Sequence, residues 1–117
     1  MTFGEFVKEK RQKVGITLRR FADILGIAPS YASDIEKSKR NAPTADILNK
    51  MIEVFELNEE EKSKMFDLAA QSKEAVAPDL KEYLCENDIV RVALRKAKNL
   101  NYGNSEWKKI IDEMNKK

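Results

Sequence analysis

The side chains best placed to do chemistry in this chain are an excess of cations near its start. Up to Thr44, Lys8, Lys10, Arg11, Lys13, Arg19, Arg20, Lys37, Lys39 and Arg40 stand against Glu5, Glu9, Asp23, Asp34 and Glu36, nine against five, or about +4. From Ala45 to Ser72 the sign reverses. Lys50, Lys62 and Lys64 are outnumbered by Asp46, Glu53, Glu56, Glu59, Glu60, Glu61 and Asp67, three against seven, or about −4. The overall charge of +2 conceals this division. The chemistry it supports is the binding of a polyanion, which would meet the N-terminal residues first.

Reaction chemistry has less to work with. The chain has no histidine and one cysteine, Cys85, and it lacks a cysteine-rich cluster, a Gly-rich phosphate loop and a GxSxG turn. Its acids follow helix-surface patterns without a recognisable pairing. The expectation is therefore a non-enzyme with no metal and no cofactor. Without a histidine to activate it, Cys85 reads as an ordinary thiol, and Trp107, Ile110, Ile111 and Met114 read as packing rather than as a cofactor pocket.

The elements that must position the cations centre on the run from Leu18 to Lys37. Its spacing is that of two short helices folded about a tight glycine turn, which is a DNA-reading geometry. Ala22 is small and sits one turn before Gly26, so the second helix can close on the first; Gly26 can take the positive φ that ends a helix and redirects the chain. Phe21, Leu25, Ile27, Ala32 and Ile35 then fall on the inward side of the pair.

Flanking elements follow from caps and periodicity. Thr2 and Glu5 form a capping box for a first helix whose apolar face is Phe3, Phe6, Val7 and Val14, and Gly15 stops it. Thr17 caps a second helix over about Leu18 to Leu25. Pro29 opens a third that runs to about Lys37, and Ser38 to Pro43 is loop. A fourth helix starts after Pro43 and Thr44, with a buried stripe of Ile47, Leu48, Met51, Ile52 and Phe55. Asn58 and Glu61 open a fifth, whose apolar side is Met65, Phe66, Leu68 and Ala69. The pattern lapses from Lys73 to Pro78. Beyond it lie a short helix over Asp79 to Cys85, a longer one over Asp88 to Lys98 and a last one bearing Trp107, Ile110, Ile111 and Met114.

With 117 residues, 42% hydrophobic and 36% charged, and only four Gly and three Pro, the composition suits one compact all-helical domain with a small appendage. The predicted division is a domain over 1–72 and a helical C-terminal extension over 73–117. No apolar run reaches the roughly 18 residues of a membrane span, and the N-terminus lacks a basic region followed by an apolar core. A soluble, cytoplasmic protein with no membrane partner is expected.

Gly4 to Arg11, Gly15 to Ala22, Leu25 to Glu36 and Lys39 to Thr44 together resemble the phage repressor and Cro type of helix-turn-helix, also called the xenobiotic-response-element family. The likeness covers roughly residues 2 to 70. It implies a five-helix, lambda-repressor-like DNA-binding domain that acts as a dimeric transcription regulator on double-stranded DNA, with an inverted repeat as its site.

By that resemblance the helix starting at Pro29 enters the major groove and presents Ser30, Tyr31, Ser33 and Asp34 to base edges, while Ala32 and Ile35 point inward. Phosphate contacts fall to Thr17, Arg19, Arg20, Lys37, Lys39, Arg40 and Asn41. Arg11 and Glu36 match positions that pair between helices one and three, and Ala22, Gly26 and Ile35 match the structural positions of the motif. The chain departs from the family at Leu18, where relatives have a phosphate-bracing glutamine. Ala28 replaces a capping serine, Ser38 replaces a terminating glycine, and Pro29 cannot offer a base-reading amide.

The combined expectation is a sequence-specific regulator, most simply a repressor, whose residues 73–117 pair subunits, bind another protein or pack back onto the fifth helix of the same chain. The alternative is an antitoxin-like module that neutralises a partner protein with its C-terminal helices and regulates its own promoter.

Overall fold

The computed structural model describes residues 1–117 as eight helices: α1 (Phe3–Val14), α2 (Leu18–Leu25), α3 (Pro29–Glu36), α4 (Ala45–Phe55), α5 (Glu59–Lys73), α6 (Pro78–Glu86), α7 (Asp88–Asn99) and α8 (Asn104–Met114). The protein is all-helical, as the composition and periodicity imply. No helix is long and apolar enough to cross a membrane.

Caps decide where these helices begin. The Glu5 amide donates to Thr2 Oγ1 at 3.1 Å while the Thr2 amide donates to Glu5 Oε1 at 3.3 Å, so two otherwise unpaired N–H groups are satisfied at the start of α1. The same reciprocal pattern joins Asn58 and Glu61 at α5. Glu61 also holds the Lys10 ammonium, and that bond together with the Asn58 amide keeps its carboxyl below the usual glutamate range. α3 has no side-chain cap, because Ala28 has nothing to offer; Pro29, which has no N–H to satisfy, occupies its first turn instead.

The helix ends are equally legible. Gly15 (φ 83°) and Gly26 (φ 74°) close α1 and α2 in the left-handed region. After α3 the same conformation is carried by Ser38, at φ 61°. Its amide donates to the Ile35 carbonyl at 3.1 Å and the Lys39 amide to the Asp34 carbonyl at 2.9 Å, the paired closure usually built on glycine.

Two compact units divide the chain, Met1–Lys81 and Glu82–Lys117. The first has a core in which Val7, Phe21, Leu25, Ile35, Leu48, Met51 and Met65 are fully buried. Phe21 and Phe55 stack at 5.2 Å between ring centres, tying α2 to α4. The turn after α5 stays with this unit: Ala77 is buried, and Pro43, Ala45, Ala75, Val76 and Pro78 line one hollow beside the start of α4. The compact division thus falls within α6, later than the lapse in pattern at 73–78.

One residue of a face expected in the core is not there. Val14 is 45% exposed, although it shares a helical face with Phe3, Phe6 and Val7. Lys10 and Arg11 intervene on that face, where they are half-buried and paired with Glu61 and Glu36, so the apolar core ends a turn before Val14. Ile27, predicted inward, is only half-buried at the edge of the core.

The second unit holds α7 and α8. Tyr102 and Trp107 meet edge to face at 6.0 Å, and Val90, Leu94, Ala97, Trp107 and Ile110 line an apolar groove. Ala97 is its one buried apolar side chain.

Candidate nucleic-acid interface

The site begins with the junction of α2 and α3. Ala22 is completely buried, and its carbonyl accepts from the Ile27 amide at 3.0 Å across the Gly26 turn. A larger side chain at Ala22 would hold the two helices apart; a β-branched one at Gly26 would oppose its positive φ. Ala32 and Ile35 anchor α3 from its inner face, each 1% exposed.

Glu36 is the buried charge that fixes the far end of α3. Arg11 Nε donates to Glu36 Oε2 at 2.7 Å and Nη2 to Oε1 at 3.1 Å, a two-pronged pair between α1 and α3. The third arm, Nη1, donates to the Ile16 carbonyl at 2.9 Å. One guanidinium therefore ties α1, α3 and the loop before α2 together.

Gly4 is the residue whose part in the site went unrecognised in the sequence. A Cβ there would lie 2.3 Å from the Ile35 carbonyl oxygen and 2.8 Å from that of Glu36, so α1 can approach the end of α3 only without a side chain at this position. Beside it Thr2 Oγ1 and Ser38 Oγ share a hydrogen bond at 3.0 Å.

So held, α3 exposes Ser30, and Lys37 just beyond its end is exposed too, with Ser33 and Asp34 half-buried on the same face. Tyr31 differs from them. It packs against the edge of the core, and the guanidinium carbon of Arg40 lies 5.8 Å from its ring centre. Lys39, Arg40 and Asn41 are exposed in the loop beyond Ser38.

On the other flank, Thr17 accepts from the Arg20 amide at 3.1 Å and so caps α2, and it lines a hollow of about 440 Å³. Arg19, Arg20, Asp23, Ile27 and Pro29 line the rest of it. Arg20 Nη1 donates to Asp23 Oδ2 at 3.1 Å, a contact that the sequence did not single out. Both side chains are well exposed, so the pair orders the arginine without contributing much to stability. The hollow brings the N-terminal end of α2 beside two guanidinium groups, of which Arg20 is paired with the Asp23 carboxylate and Arg19 is the one left to meet an anion.

The helix-turn-helix family model matches residues 7–62, from within α1 to the first turn of α5. This segment belongs to the helix-turn-helix family. The match accords with the resemblance of residues 2 to 70 to the Cro/C1 type of DNA-binding helix-turn-helix regulator. Comparison with curated proteins and with solved structures gives no match.

Proposed function

We propose that this chain is a sequence-specific, double-stranded DNA-binding repressor that reads the major groove with α3 and acts as a dimer. The observation that carries the reading is the outward face of α3. Ser30 is exposed and Ser33 and Asp34 are half-buried on one face of a helix pinned at both ends, with Lys37 exposed just beyond it, Arg19 and Arg20 on one flank and Lys39, Arg40 and Asn41 on the other. Serine and aspartate exchange hydrogen bonds with base edges, and Asp34 can accept from a cytosine amino group. Thr17, Arg19, Arg20, Lys37, Lys39, Arg40 and Asn41 hold the phosphates on either side and set the register.

Lysine and arginine bind phosphate by releasing condensed counterions, so affinity should fall steeply with salt. Four to six contacts per subunit give a log–log slope of roughly −4 to −5 per bound subunit. Fluorescence titration of labelled duplexes across a salt series measures it. No binding to random or selected duplexes at low salt would overturn the proposal.

Residues 73–117 are the proposed pairing segment. Ile89 (78% exposed), Val92, Leu94, Ile111 and Met114 leave apolar surface on α7 and α8 that a second copy can cover. Pairing would set two α3 helices about 34 Å apart, one turn of DNA. The same surface favours the antitoxin-like reading if a different protein covers it. A chain that stays monomeric at high micromolar concentration and on its selected DNA would remove the dimer.

A further inference from the structure

Tyr31 and Arg40 belong by position to different tasks, one on the base-reading helix and the other in the phosphate-facing loop. The structure brings them together. The chain reverses after α3 through Ser38 at φ 61°, and the two hydrogen bonds that close this turn, Ser38 N–H to the Ile35 carbonyl and Lys39 N–H to the Asp34 carbonyl, direct the next residue back along the helix. Arg40 then lies with its guanidinium carbon 5.8 Å from the centre of the Tyr31 ring. Tyr31 is half-buried and rests on the edge of the core, so its inner side is held by packing while the Arg40 guanidinium lies within cation–aromatic range of its ring.

From this geometry we infer that Arg40 is a specificity-determining positioning residue, whose guanidinium over the Tyr31 ring fixes the tyrosine for base contact. The inference rests on the DNA-reading function proposed above. A cation over an aromatic face is held by the negative quadrupole of the ring, and at 5.8 Å the Arg40 guanidinium still has N–H donors to offer a phosphate. The tyrosine, for its part, loses the freedom to swing away from the groove, so less ordering remains to be done on binding. Phosphate contact and base preference then depend on one another at this corner of the site.

The distinction is measurable. An arginine that only touches phosphate weakens every duplex alike when removed, whereas one that positions a base-reading ring changes the preference among duplexes. The probes are duplexes selected by the unaltered full-length chain from a random pool, each paired with a version altered at one base pair. Arg40→Ala, Tyr31→Ala, Tyr31→Phe and the double variant Tyr31→Ala/Arg40→Ala are titrated on both at several salt concentrations.

Arg40→Ala is expected to lower discrimination by about 2- to 5-fold, the size of an exposed cation–aromatic contact, at the same base pair that Tyr31→Ala relaxes. That loss should vanish when Tyr31 is already alanine and persist in Tyr31→Phe, which keeps the ring face. Arg40 is exposed and outside every helix, so its variants spare the fold; Tyr31→Leu, which retains packing without the ring, replaces Tyr31→Ala if the latter melts early. Uniform weakening of all duplexes by Arg40→Ala, equal with and without the tyrosine, would overturn the coupling while leaving the DNA-reading function intact. A Tyr31→Ala variant that relaxes no base pair would also overturn it. Failure of the unaltered chain to bind any duplex would overturn the coupling and the function beneath it together.

Discussion

Arg11→Met is expected to destabilise the N-terminal domain by about 3–5 kcal/mol, the loss typical when one partner of a buried ion pair is removed. The Arg11 and Glu36 side chains are 13% and 6% exposed, so water cannot replace the guanidinium. Glu36 would be left as a charge inside the fold, and the Ile16 carbonyl would lose its donor as well. Domains of this size have a total stability of only about 5–15 kcal/mol, and a loss of this size lowers the melting temperature by roughly 15–25 °C. Most of that loss comes from the orphaned carboxylate. Adding Glu36→Leu to Arg11→Met should therefore restore a large part of the stability, and thermal melts of the two single variants and the double would show it. A single-variant loss below about 1 kcal/mol would mean that the pair behaves like a surface contact.

The second large effect is expected at Gly4. In Gly4→Ala the new methyl falls 2.3 Å from a backbone carbonyl oxygen of α3, and backbone cannot rotate away as a side chain can. Either α1 shifts or the end of α3 does, at a cost of about 3 kcal/mol for overpacking, or roughly 15 °C in melting temperature. Gly15→Ala is the informative comparison. Its φ of +83° opposes a side chain, but no atom lies within 4 Å of the added Cβ, so only the conformational penalty of about 1–2 kcal/mol applies. If the Gly15 variant melts as low as the Gly4 variant, close approach of α1 to α3 is not what Gly4 provides.

These two residues mark how far the sequence could be read. Local chemistry was plain: Thr2 with Glu5, Thr17, Asn58 with Glu61, and Pro29 at the start of α3 each announce a helix start within three or four residues, and the structure has each of them. The turn at Gly26 was equally legible, because few other residues accept its φ of 74°. Val14 shows where periodicity misleads. Its face continues Phe3, Phe6 and Val7, yet whether a face stays apolar depends on partners such as Glu61, which lies 51 positions from Lys10.

Gly4 was illegible for a related reason. Nothing in its neighbours says that two carbonyls of α3 will arrive beside it, and a glycine inside a helix otherwise reads as a mild weakness. At the candidate site, the outward face of α3 followed from the resemblance and from helical spacing, whereas the contacts of Tyr31 with Arg40 and of Arg20 with Asp23 required coordinates. Ser38 lies between these cases: its place after α3 was evident, while its left-handed backbone was not, since serine seldom adopts it.

Base reading by α3 is tested by selecting duplexes from a random pool with the full-length chain. A reading helix on each of two paired subunits predicts strong enrichment of an inverted repeat whose half-sites lie about one helical turn apart, near 34 Å. Enrichment of a single unrepeated half-site would keep base reading and remove the pairing. A pool that stays unenriched after repeated rounds at low salt would contradict base reading by α3.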